Sequence, residues 1–354
     1  GVNAERVRRV HECSCIEDDA GFRHAEEWRL WWSFDATGGP LVASGHDVTQ
    51  SNRQHLRPSG QNLSVPSPAT NMSQQPAAVS EQLDAAAVFP AGAGSAAVQL
   101  LDVRAPVEVD RCEIPSAISR PILTDEERHA VGTCYRQRGQ EAALRLGLEL
   151  TAPHRDVRVA AWRDAVAAAA GPCAFACWRG GQRSRIAQEW LADANVPRVN
   201  GGTKALRRFL LDRLEAQFSR TEAVVISGLT GCGKTELLHA LDKSAPSDVL
   251  GLDLEGLAKH RGGAFGGLPG GRPAQQTFEN RLAATMQLAA PRMTLLEDEA
   301  RNVGRLELPM YVWQTTKQSP VVMLEATLDE RIARIAREYV FEPTLGQGRG
   351  VGRA

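Results

Sequence analysis

Two short stretches of this chain carry residue types whose spacing suits chemistry. The first is Cys177-Trp178-Arg179-Gly180-Gly181-Gln182-Arg183-Ser184. A short apolar run from Cys173 to Cys177 precedes it, and Ile186, Ala187, Trp190, Leu191 and Ala194 follow at helical spacing. A thiol so placed sits at the C-terminal end of a strand, in the crevice where parallel α/β folds bind ligands. Gly180 and Gly181 let successive N–H groups turn inward as an anion cradle. The next helix aims its positive end at the sulfur, and Arg179 and Arg183 add charge. Together these favour the thiolate, the nucleophilic form of cysteine. Such a cysteine can attack a sulfur or selenium donor and carry the chalcogen. Cys173 reads instead as a buried structural residue.

The second stretch is Gly228-Leu229-Thr230-Gly231-Cys232-Gly233-Lys234-Thr235. It fits G-x-x-x-x-G-K-[ST] without a mismatch, after a β-branched strand (Ala223 to Ser227) and at the opening of a helix. Gly228, Gly231 and Gly233 let backbone N–H groups face phosphate oxygens, and the helix N-terminus favours negative charge. Lys234 can reach terminal phosphates, and Thr235 can ligate Mg²⁺. The motif specifies a di- or triphosphate, not a base. Asp298 or Glu297, after the run Met293 to Leu296, is the candidate acidic partner near the metal, and Asp253 is a weaker one. Arg331 and Arg334 read as solvated helix charges. His11, Cys13 and Cys15 form one Cys-x-Cys with no second ligand pair, so no protein-held metal site is expected.

Alternating strands and helices must position both stretches, which predicts parallel, doubly wound α/β sheets. The first alternation runs over residues 97–219 and the second over 220–342. Thr124 with Glu127 forms a capping box at a helix start. Residues 1–96 turn to Ser, Gln, Asn, Pro and Ala with little periodicity, and read as a disordered or atypical extension. The chain opens on Gly1, and 343–354 read as an unstructured, truncated end.

In 354 residues, Lys+Arg 41 against Asp+Glu 42 leaves a net charge of −1, which excludes binding nucleic acid by bulk positive charge. Any such contact needs a local patch. Arg179 to Arg213 supplies one, with eight basic residues against three acids, and Lys204, Arg207 and Arg208 are the candidate contacts. No apolar run reaches membrane-spanning length. No export signal opens the chain, and seven cysteines without a framework suit free thiols in a cytoplasm.

The first stretch, with Asp102-Val103-Arg104 and Glu108 upstream, resembles the rhodanese domain. That resemblance implies that Asp102 and Arg104 shape the loop and that Cys177 is the chalcogen carrier. Five residues separate Cys177 from Arg183, where many rhodaneses have four, which leaves phosphatase chemistry open. The pair of sites on one chain is similar to the bacterial tRNA 2-selenouridine synthase family. Leu101 to Glu108, Thr124 to Arg128, Val131 to Tyr135, Gly202 to Arg207, Leu252 to Leu257, His260 to Gly262 and Glu297 to Glu299 carry the likeness. It implies a rhodanese-like domain followed by a P-loop domain, acting on wobble uridine-34 of tRNA. A 2-thiouridine is geranylated on sulfur with geranyl diphosphate, and selenium from selenophosphate then gives 2-selenouridine. tRNA and a selenophosphate-supplying enzyme are the implied partners. Two other readings stay open. One is a sulfurtransferase fused to a nucleotide-dependent kinase or ATPase; the other is a non-catalytic RNA-binding module.

Overall fold

The computed structural model describes residues 82–244, 246, 248–260 and 271–337. The expected extension up to residue 81 and the expected end at 343–354 lie outside the described residues.

The first half comprises β1 (Gln82–Leu83), α1 (Ala85–Val88), β2 (Gln99–Asp102), α2 (Pro106–Arg111), β3 (Ala117–Ser119), α3 (Asp125–Thr151), α4 (Arg155–Ala168), β4 (Cys173–Ala176), α5 (Gln182–Trp190), β5 (Arg198–Val199) and α6 (Gly202–Phe218). Its five strands lie in the order β1-β5-β4-β2-β3, all parallel. Every residue of β4 is buried, as a strand covered on both faces requires. Thr124 caps α3: its hydroxyl accepts from Glu127 N at 3.2 Å, while Thr124 N donates to Glu127 Oε2 at 2.8 Å.

The second half comprises β6 (Glu222–Ser227), α7 (Lys234–Ser244), β7 (Val249–Leu252), α8 (Leu254–Leu257), α9 (Gln275–Ala289), β8 (Met293–Glu297), β9 (Asn302–Val303), β10 (Leu306–Glu307), α10 (Met310–Gln318), β11 (Val321–Met323) and α11 (Leu328–Ala336). Four strands form a second parallel sheet, β11-β6-β8-β7, and β9 pairs with β10 as an antiparallel ribbon.

Residues 82–96 correct one expectation. They belong to the fold, not to an extension. β1 adds an edge strand beside β5, and Val88 and Phe89 are fully buried. Gln287 Nε2 on α9 donates to Phe89 O at 3.0 Å. The Ala-rich composition around them masked a two-residue apolar anchor.

The core divides across the first sheet. On one side Leu101, Phe175 and Cys177 meet Trp162 of α4 and Leu191. Trp162 stands edge-on to Phe175 at 5.4 Å, stacks on Trp190 at 6.1 Å, and donates Nε1–H to Arg120 O at 2.9 Å. On the other side Leu100, Ala174 and Val199 meet Leu206, Leu210 and Leu214 of α6. That cluster continues through Phe278 and Leu282 of α9 to Leu296 of β8, so α6 and α9 join the two sheets in one core.

A polar seam borders that joint. Arg207 of α6 pairs with Glu279 and donates to Asn280 Oδ1 at 2.8 Å. Asn280 Nδ2 donates to Glu113 O at 2.7 Å, and Glu113 N donates to Thr277 Oγ1 at 3.0 Å.

Trp162 fills the wall behind the Cys177 strand with nothing to replace it. Trp162→Ala is expected to cost about 3–5 kcal/mol of unfolding free energy, read from urea melts followed by far-UV circular dichroism.

Candidate active site

β4 ends at Ala176, and the chain then turns through residues 177–181 before α5 begins at Gln182. The thiol itself is buried: Cys177 is 3% exposed. Its Sγ lies 3.3 Å from Ser184 Oγ, which also donates to Gly181 O at 3.1 Å. Backbone N–H groups from Trp178 to Arg183 have no backbone acceptor among the described residues. Four come from one tight turn and the last two, from Gln182 and Arg183, open a helix, an arrangement that suits an anion.

The loop is pressed against the start of α6. Thr203 N donates to Cys177 O at 2.8 Å and Lys204 N to Trp178 O at 3.0 Å, so loop carbonyls satisfy helix donors that would otherwise be orphaned. Gly202 has φ +63°, and a Cβ there would lie 2.0 Å from Cys177 O. Only glycine allows that approach.

The charged groups divide into two kinds. Arg183 is clamped onto Glu108, with Nη2 at 3.1 Å from Oε1 and Nη1 bonded to Oε2. Burial pushes the Glu108 carboxyl up, but the Arg183 hydrogen bond and charge outweigh it and hold it below its ordinary value. Arg179 is exposed and makes no hydrogen bond or ion pair among the described residues, so it is the guanidinium available to a ligand. Asp102 and Arg104 are both buried and pair with each other at 2.6 Å, while Arg104 Nη2 donates to Cys112 O at 2.8 Å. Their bonds brace the β2 end and the turn after α2. β2 aligns Asp102 with Ala176, one residue before the thiol.

At the second site Lys234 Nζ donates to Gly228 O at 3.0 Å across the loop. Thr235 Oγ1 donates to Glu297 Oε1 at 2.5 Å. Glu297 is 1% exposed, and its Oε2 has no hydrogen-bond partner among the described residues. Burial pushes Glu297 up to about 7 against the Thr235 bond, with Glu255 and Asp253 adding to the rise. Asp298 turns elsewhere: its Oδ2 accepts from Ser227 Oγ at 2.8 Å and its Oδ1 lies 3.3 Å from Lys317 Nζ. The Ser227 bond holds Asp298 below its ordinary value despite burial, and Lys317 assists. Asp253 caps α8 through Gly256 N at 2.6 Å and bonds His239 Nε2 at 2.8 Å. Of the three acidic candidates, Glu297 alone touches the P-loop threonine.

Arg331 and Arg334 do not behave as solvated helix charges. Arg331 Nε donates to Thr230 O at 2.9 Å and Arg334 Nη1 to Gly231 O at 3.2 Å, so α11 lies over the phosphate loop. Among the basic candidates between the sites, Lys204 and Arg208 are exposed. Arg207 is committed to the α6–α9 seam.

Comparison with known proteins places this geometry. A family model described as the tRNA 2-selenouridine synthase AAA domain matches residues 221–348. A tRNA 2-selenouridine synthase of Verminephrobacter eiseniae (strain EF01-2) is 46% identical over 250 residues, covering 69% of this chain and 66% of that protein. One of Pseudomonas syringae pv. tomato is 44% identical with the same coverage. Another, of Pseudomonas savastanoi pv. phaseolicola, is 42% identical over 268 residues, covering 72% of this chain and 71% of that protein. The chain belongs to the tRNA 2-selenouridine synthase family. It spans 66% of the length of the first two relatives.

As a member of that family the chain shows several site residues that the sequence reading left without a role. Ser184 was legible only as the polar residue after Arg183. Glu108 and the Gly202-Thr203 turn meet the loop from elements up to 75 residues away in sequence, so no local spacing announces them. Glu255 and Glu299 lie in stretches that carry the family likeness, but their spacing assigned them no role.

Two outcomes are expected here. Ser184→Ala removes a buried partner of the thiol and should slow iodoacetamide labelling of Cys177 about three- to tenfold near neutral pH. Peptide mass spectrometry measures the rate, and a melting temperature close to wild type separates this from unfolding. For Glu297 the folded value near 7 exceeds the ordinary 4.5, so the folded chain holds a proton that the unfolded chain releases. Stability should therefore fall as pH rises from about 4.5 to about 7, by up to about 3 kcal/mol. Glu297→Gln should flatten that slope in urea melts run in chelator-containing buffer.

Proposed function

We propose that this chain is a selenotransferase that converts 2-thiouridine at wobble position 34 of tRNA to 2-selenouridine through S-geranyl-2-thiouridine. What supports the reading is one folded body that carries a buried thiol on an N–H-rich loop and a separate phosphate loop, in a chain of this family.

The roles follow from the chemistry of each site. The thiouridine sulfur attacks the first carbon of geranyl diphosphate, the C–S bond forms, and the C–O bond to diphosphate breaks. A P-loop suits this step because its N–H groups and Lys234 bind a diphosphate and favour its departure, with no nucleotide hydrolysis required. Gly228, Gly231, Gly233, Lys234 and Thr235 hold the diphosphate. Mg²⁺, where used, would be held by Thr235 and Glu297, whose orphaned oxygen fits a hard cation. S-alkylation turns a poor leaving sulfur into a better one. The selenium of selenophosphate then bonds to the uridine carbon that carries the S-geranyl group, geranylthiol leaves, and water takes the phosphoryl group as the P–Se bond breaks, releasing phosphate. Cys177 handles selenium from selenophosphate, cradled by Gly180, Gly181 and the loop N–H groups. Arg179 faces the anion, and Arg183 holds the loop shape through Glu108. Asp102 and Arg104 brace the strand end beside it.

Lys204 and Arg208, exposed at the start of α6, are proposed to meet the tRNA backbone. A selenophosphate-supplying enzyme is the proposed partner, and the cytoplasm the proposed compartment. No described helix is long and apolar enough to cross a membrane.

Nucleoside mass spectrometry tests this directly. The protein is incubated with a 2-thiouridine anticodon stem-loop, geranyl diphosphate and selenophosphate. Wild type should yield selenouridine. Cys177→Ser should stop at the geranylated nucleoside, and Lys234→Ala should lower geranylation about a hundredfold or more. A folded protein that hydrolyses nucleotide in a Lys234-dependent way and modifies no uridine would instead support a kinase or ATPase fusion.

A further inference from the structure

The first stretch of α3 carries a surface that neither site uses. Gly139, with φ +82°, interrupts the helix, so residues 125–138 form a helical segment of their own. Arg128, His129, Gly132, Tyr135 and Arg136 stand at i, i+1, i+4, i+7 and i+8, which places them on one face. All five are exposed, and Tyr135 keeps 57% of its surface in solvent. Around the rest of the segment Ala130, Val131, Thr133 and Cys134 are half-buried. No acid lies between Glu127 and Glu141 in the sequence. The acids of the first turn are spent at the helix start: Asp125 Oδ1 accepts from Val107 N at 2.9 Å, Glu126 bonds to Thr124, and Glu127 pairs with Arg158 at 2.7 Å.

Gly132 is an independent observation on this face. Glycine inside a helix destabilises it, and no neighbour requires one here, because a Cβ at 132 would meet no atom within 4 Å. The fold gains nothing from the missing side chain. What it leaves is bare backbone between Arg128 and Tyr135, where a ligand's own backbone can approach closely.

The face begins at the thiol site. Arg128 Nε lies 3.8 Å from Glu108 Oε1, on the carboxylate that clamps Arg183 of the thiol loop. Tyr135 stands two turns further on, about 10 Å along the axis. A protein interface would surround such a ring with apolar side chains and deplete charge. Here cations flank it. That combination suits single-stranded RNA, whose unpaired bases stack on aromatic rings while guanidinium groups take the phosphates.

We propose that this face of α3 is a contact for single-stranded RNA: Tyr135 stacks on an unpaired base, Arg128 and Arg136 hold flanking phosphates, and the strand passes over Gly132 toward the thiol loop. The inference rests on the reading of tRNA as the substrate. It adds a base-contacting surface to the backbone contacts proposed for Lys204 and Arg208.

RNA affinity tests this without turnover. The full chain is titrated against a fluorescein-labelled 2-thiouridine anticodon stem-loop, and binding is read by fluorescence anisotropy. Tyr135→Ala should weaken binding about tenfold or more, and Tyr135→Phe should stay within about twofold, because the ring and not the hydroxyl stacks. Gly132→Gln should weaken it about fivefold or more with an equal or higher melting temperature, since Gln is the better helix former. Arg136→Gln should lower the slope of log affinity against log salt by about 0.7. A fully paired duplex of the same stem should be indifferent to Tyr135→Ala. Stem-loop affinity within about twofold of wild type in both Tyr135→Ala and Gly132→Gln overturns the proposal, and so does an equal loss on the duplex. A dimer in sedimentation that Tyr135→Ala dissolves, with RNA affinity unchanged, also overturns it and assigns the face to a second copy. Selenouridine formed by wild type, with RNA affinity indifferent to both variants, would remove this inference and leave the proposed function standing. Tyr135-dependent RNA affinity in a chain that modifies no uridine would do the reverse.

Discussion

The contact on which the first site depends is a backbone one: the Cys177 carbonyl accepts from Thr203 N while Gly202 lies flat against it. It closes the thiol loop against the start of α6. The same contact starts α6, whose Leu206, Leu210 and Leu214 then enter the core shared with the second sheet. One helix therefore shapes the thiol loop at its first turn and joins the two sheets along its length. A side chain at position 202 would strike Cys177 O before any other group, and the shape of the loop would be lost with it.

The second site runs on a different constraint. A carboxyl at position 297 is buried beside two other acids and a threonine hydroxyl. Burial alone would keep such a group neutral. The surrounding fold supplies Thr235 to one oxygen and no protein donor to the other among the described residues. Lys234 offsets part of the burial and of the neighbouring carboxylates that push Glu297 up. Asp298, the neighbour in sequence, meets opposite conditions because Ser227 and Lys317 receive it. Two adjacent acids thus take different roles according to which side of β8 they leave.

Both sites also owe their form to long-range pairs that brace them. Arg183 would be a mobile surface guanidinium without Glu108, and Arg104 would be an impossible buried charge without Asp102. Arg331 and Arg334 hold α11 over the phosphate loop by bonding its carbonyls. These arginines organise backbone, which leaves Arg179 as the exposed charge of the thiol loop.

The amino-acid sequence by itself determined the alternation of strands and helices around both loops, and where the two loops lie. Hydrophobic periodicity and glycine spacing are local, and each loop needs only a strand before it and a helix after it. The Thr124 capping box was legible for the same reason. What the tertiary structure decided were the partners. It chose Glu297 over Asp298, gave Ser184 to the thiol, committed Arg207 to Glu279, and drew Val88 and Phe89 into the core. Each choice turns on which side of a strand or helix a side chain leaves and on what a distant segment places there. Neither is written in local spacing, because a shift of one residue along a strand reverses the face while leaving composition unchanged.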